Sequence, residues 1–89
     1  MSEKLSWEKN IEDKFKQVIG KISLFHRNIA EETIKETAEK YAKERGSAQI
    51  EEVDVVKAMF MGVPAAFAAP MKKILDSVGI DYAKYGFGK

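Results

Sequence analysis

The chain contains no cysteine. That excludes disulfides, thiolate nucleophiles, cysteine-ligated iron–sulfur clusters and cysteine-rich zinc sites. It also fits a reducing compartment. Histidine occurs once, at His26, so no imidazole cluster can form within one chain. An excess of one charge sign is missing too: 33% of residues are charged, yet the formal net charge is +1. Phosphate contacts dominate nucleic-acid affinity and call for a basic surplus, which this composition does not have. The opening segment MSEKLSWEKN has no apolar stretch of the kind that a secretory signal needs. The longest uncharged run, AMFMGVPAAFAAPM over residues 58–71, is shorter than the roughly 18 residues of a spanning helix. Gly62, Pro64 and Pro70 interrupt it further. These absences point to a soluble, cytoplasmic protein without a membrane role.

What is present is helical periodicity. At 89 residues the chain is expected to form a single domain, 1–89. A domain this small buries a modest core, and self-association is one way to bury more. In SWEKNIEDKFKQVIGKI, Trp7, Ile11, Phe15, Val18 and Ile22 step by three or four residues and predict one helix face, with Ser6 as its N-cap. In the next segment, Phe25, Ile29, Ile34, Ala38, Tyr41 and Ala42 are read as one stripe, with Ser23 as cap and Gly46 as stop. Glu31–Lys35, Glu36–Lys40 and Glu39–Lys43 are acid-first i,i+4 pairs on its surface. Ile50 is placed in a short extended linker. Glu51, Glu52 and Asp54 then favour the positive end of a third helix, ending at Gly62, with Val53, Val56, Ala58 and Phe60 as its apolar set. Pro64 suits the first position of a fourth helix, and Pro70 either kinks that helix or marks its true start. Phe67, Met71, Ile74, Leu75 and Val78 form its stripe. Gly79 closes it, with Ile80 folding back. Asp81 caps one further turn, and Tyr82, Tyr85 and Phe87 are expected to dock. The fold class is all-α: a small four-helix domain.

Chemistry is sparse. His26 beside Arg27 reads as a surface or boundary residue. No phosphate-binding glycine loop, nucleophile elbow or ligand cluster occurs, so no catalytic residue, no metal and no cofactor is assigned, and no enzymatic activity. The uncharged run remains. Met59, Phe60 and Met61 are consecutive, and neighbours on a helix point about 100° apart. They cannot all face one core, so the run divides between core and contact surface. The candidate partner-binding residues are Met59, Met61, Val63, Phe67, Tyr82 and Phe87.

FHRNIAEETIKETAEKYAKERGSAQIEEVDVVKA, with Trp7 and IGKI upstream, resembles the small helical module at the C-terminus of the B subunit of light-independent protochlorophyllide reductase. Phe25, Arg27, Glu39 to Ala42, Glu44, Gly46, Ile50 and Val53 match its pattern. The resemblance spans residues 7–60, leaving 62–89 as a C-terminal helical extension. The interval from Arg27 to Glu39 is about one helical turn longer than the family's, and Glu51 stands where the family favours threonine. The reductase chemistry belongs to other domains bearing iron–sulfur clusters, which a chain without cysteine cannot ligate. The resemblance implies a helical accessory module near a large hydrophobic substrate or a subunit interface.

QIEEVDVVKA also resembles the last linker and helix of histone-fold proteins, through Ile50, Asp54, Val55 and Val56. In that fold an arginine three residues before the isoleucine pairs with the aspartate. Here Ser47 holds that position and Arg45 lies two residues earlier. The likeness implies a histone-like handshake in the middle and third helices. The leading expectation is thus a helical module that binds a protein partner or a second copy of itself. One alternative is a histone-like DNA-binding dimer using Lys21 and Arg27. Another is an accessory protein for a hydrophobic, tetrapyrrole-like ligand.

A chain with no ligand cluster does not fold around an ion. A strong chelator is therefore expected to leave circular dichroism and melting temperature unchanged. Loss of helix on chelation would show a metal site.

Overall fold

A computed structural model describes residues 5–22, 24–62, 66 and 68–87. Its order is strand β1 (Ser6–Trp7), helix α1 (Lys9–Lys21), helix α2 (Leu24–Glu44), strand β2 (Gln49–Ile50), helix α3 (Glu52–Met61), helix α4 (Ala68–Val78) and a 3₁₀ turn at Ala83–Tyr85. The all-α class holds: among the described residues, strand structure is confined to one two-residue parallel pair, Ser6 beside Gln49 and Trp7 beside Ile50.

That pair moves the start of the first helix. Trp7 belongs to β1, and the Glu8 N–H donates to the Ile50 carbonyl at 2.9 Å. The backbone is engaged by β2 until Glu8, so the helix begins at Lys9. Its cap is Glu8, not Ser6: the Glu8 carboxylate accepts from the N–H groups of Asn10 at 3.0 Å and Ile11 at 3.2 Å. Trp7 still meets Phe15, with ring centroids 4.9 Å apart.

The α2 stripe is also corrected. Ile34, Ala38 and Ala42 are buried, whereas Phe25 and Ile29 are 89% and 70% exposed. The step from Ile29 to Ile34 is five residues, which turns the side chain by about 140°; Phe25, nine residues back, is about 180° away. Gly46, at φ +73°, ends α2 with Ser47 N–H donating to Ala42 O and Gly46 N–H to Lys43 O.

Beyond Gly46 the chain reverses, and α3 runs back along α2. Asp54 is 1% exposed. Its carboxylate accepts from Arg45 Nε at 2.9 Å, Arg45 Nη2 at 2.7 Å and the Glu51 N–H at 2.9 Å. The arginine–aspartate pairing therefore forms from Arg45 rather than from the Ser47 position. The Ser47 hydroxyl instead donates to the Gln49 carbonyl at 2.6 Å, shaping the entry to β2. Val55, Val56, Ala58 and Met59 face the core. Val53 and Phe60, expected there, are half-buried.

At the far end of α3, Gly62 is pressed against α2. A Cβ at that position would lie 2.7 Å from Ala58 O and 2.9 Å from Thr37 Cγ2, so only glycine fits. Pro70 is the third residue of α4 and marks its start rather than a kink. Met71 and Leu75 are buried beneath it. Gly79, at φ +78°, closes α4 as expected, with Ile80 N–H donating to Leu75 O and the Ile80 side chain buried. The expected roles of Ser23, Pro64 and Phe67 lie outside the described residues.

Replacing Arg45 by Met keeps the apolar stem but strands the Asp54 carboxylate in the interior. Leaving a buried acceptor short of partners costs about 1–3 kcal/mol, and more when it is charged. Arg45→Met is expected to lower stability in urea titration by that amount, while Arg45→Lys retains part of it. Unchanged stability in Arg45→Met would show that the pair does not hold α3.

Candidate interaction surface

The six residues expected to contact a partner separate into different environments. Met59 is fully buried in the core and cannot reach a partner. Met61 stands about 200° from Met59 around the axis of α3 and faces out, 60% exposed. Val63 and Phe67 lie outside the described residues. Tyr82 and Phe87 are spent internally. Phe60 meets Tyr82 at 5.4 Å and stacks on Phe87 at 5.3 Å, between ring centroids. The C-terminal aromatics thus dock, as expected, and they cover Phe60.

Glu52 fixes this tail. It accepts from the Tyr85 hydroxyl at 2.7 Å and pairs with Lys84 at 3.1 Å, with Lys14 of α1 at 4.0 Å. Lys14 also donates to the Gly79 carbonyl at 3.3 Å. Burial pushes the Glu52 carboxyl upward, but the hydrogen bonds from Tyr85 and Lys84 and the charges of Lys84 and Lys14 outweigh it, so it ionises below its ordinary 4.5. Every contact of this cluster is structural, joining α1, α3 and the tail.

The nucleic-acid alternative rested on Lys21 and Arg27. Arg27 is committed elsewhere: its guanidinium donates to the carbonyls of Ile19 at 3.0 Å, Gly20 at 3.1 Å and Ile22 at 3.1 Å. It caps the end of α1 and holds that end to α2. Lys21 alone remains exposed.

Between α1 and α2 lies a groove of about 240 Å³, lined by Trp7, Glu12, Phe15, Lys16, Ile19, Glu31 and Lys35. Pockets for drug-sized molecules hold about 300–1,000 Å³. This groove is smaller, and too small for a tetrapyrrole. Among the described residues no group of three acidic or histidine side chains could hold a metal ion, and no helix is long and apolar enough to cross a membrane.

Phe25 and Ile29, which the spacing analysis placed inward, now stand out. Leu24 is 79% exposed, beside Phe25 and Ile29. All three lie in the N-terminal half of α2. Arg45, just past the end of α2, meets Asp54 at the start of α3, and Gly62 at the end of α3 abuts Thr37 of α2. The exposed residues Leu24, Phe25 and Ile29 lie N-terminal to that contact. The five-residue gap between Ile29 and Ile34 was the signal in the sequence. No family model, curated protein or solved structure matches the chain.

Because the folded-state pKa of Glu52 is depressed, its stabilising effect is complete above its ordinary 4.5 and is lost as pH falls through the depressed value. Glu52→Gln is therefore expected to melt lower than the parent at pH 7, and the gap to close at strongly acid pH. A gap independent of pH would show that Glu52 acts without its charge.

Proposed function

We propose that the protein is a non-enzymatic helical interaction module that pairs with a second copy of itself through the exposed apolar side chains in the N-terminal half of α2. The observation that carries this reading is the exposure of Leu24, Phe25 and Ile29 within two turns of one helix. Leu24 and Ile29 stand about 140° apart around the axis, with Phe25 between them. An apolar arc of that width on a helix is the kind of face that globular proteins cover.

Charge placement favours a second copy in antiparallel orientation. Lys21, which ends α1, is exposed next to the start of α2, and Glu32 and Glu36 are exposed farther along α2. Two arcs related by a two-fold axis near Asn28 and Ile29 bring the lysine of each copy toward the glutamates of its mate. A parallel arrangement would set like charges together. A two-fold contact is self-complementary, and this pattern has that property. The handshake implied by the histone-fold resemblance agrees with it, as does the accessory role implied by the reductase module. The DNA-binding alternative is weakened by the commitment of Arg27 and the balanced charge.

Sedimentation across a wide concentration range tests the reading. The parent is expected to pass from monomer to dimer as concentration rises. Ile29→Lys is expected to stay monomeric with nearly unchanged melting at low concentration, since exposed substitutions usually cost less than about 0.5 kcal/mol. A parent that stays monomeric to millimolar concentration would overturn it.

A further inference from the structure

The groove between α1 and α2 and the arc on α2 share a flank. Leu24 precedes Glu31 by seven residues and Lys35 by eleven, close to two and three full turns. Leu24 therefore projects from the same side of α2 that walls the groove. The groove's floor is apolar: Trp7, Phe15 and Ile19. Its rim carries Glu12 and Lys16 from α1 and Glu31 and Lys35 from α2, with the last two paired at 2.9 Å. Two acids face two bases, so the rim selects neither an anion nor a cation. An apolar floor under a neutral rim suits an uncharged apolar side chain, and the volume excludes a large ligand.

We infer that each copy's Leu24 seats in the other copy's groove, over Trp7, Phe15 and Ile19. The inference rests on the antiparallel pairing proposed above. A two-fold axis near Asn28 and Ile29 brings the second copy's Leu24 level with Thr33, between Glu31 and Lys35. That axis also keeps matching flanks on the same side, so the plug of one copy arrives beside the groove of the other. Both grooves fill at once, and neither copy is left with an open site.

The chain has a single tryptophan, and it lies in the groove. Its emission therefore reports on the site directly. Sedimentation and Trp7 emission are measured together, on the full chain, across the same dilution series. The parent is expected to show a blue shift of Trp7 emission that tracks dimer formation and reverses on dilution. Leu24→Lys is expected to weaken the dimer by about tenfold or more, because a charge in a dry groove is costly, and to abolish the shift. Leu24→Met is expected to retain both. Leu24 is exposed, and circular dichroism at low concentration confirms that each variant is folded. A dimer whose formation leaves Trp7 emission unmoved, or a Leu24→Lys variant that pairs like the parent, overturns the groove inference while the pairing reading stands. A parent that never dimerises overturns both. In a monomeric parent, a Trp7 shift produced only by an added apolar dye would assign the groove to another occupant, and again overturn the inference.

Discussion

The fold turns on one buried carboxylate. Asp54 sits in the first turn of α3, out of contact with water, with its oxygens taken up by Arg45 and by the Glu51 N–H. Pairs of this kind add little stability over a well-packed apolar substitute, but a buried charge tolerates few geometries. Here the geometry sets the course of α3. With its start held at Arg45, α3 runs back along α2 until Gly62 meets Thr37. The same turn holds Gln49 and Ile50 extended, giving β1 a strand to pair with. Trp7 is thereby set over Phe15, and the groove acquires its floor.

Much of this architecture was legible in the residue pattern, and the failures have physical causes. The ends of α2 and α4 were marked by Gly46 and Gly79, whose positive φ values suit glycine and few other residues. The start of α1 was misplaced because Trp7 continues a helical spacing. Nothing local reveals that its backbone is engaged by residues more than forty positions away. For Met59 and Met61, helix geometry required that they diverge. It could not say which one faces in, since that depends on where α2 lies. Arg45 was passed over because the loop between it and Ile50 differs in length from the pattern it was measured against.

The surface was less legible than the fold. Counting apolar residues along α2 joined Phe25 and Ile29 to a stripe that the five-residue gap had already broken. The uncharged run at 58–71 drew attention instead, yet its described residues have mixed fates. Ala58, Met59 and Met71 are core, Phe60 lies under the tail, and Met61 faces out. These residues belong to two helices, the end of α3 and the start of α4, each with buried and exposed sides, and do not make one continuous contact face. The groove could not be foreseen at all, because its walls come from two helices and a strand.

The pairing of β1 with β2 bears on how the chain comes together. Arg45 and Asp54 are nine residues apart, so the α2–α3 hairpin closes over a short loop. Ser6 and Gln49 meet only when the whole of α1 and α2 has been gathered between them. Loop-closure entropy grows with the length enclosed, and the two-residue strand offers few hydrogen bonds in return. The hairpin is thus the less costly nucleus, and the N-terminal strand is a late seal over it. Until that seal forms, Phe15 lacks its aromatic lid.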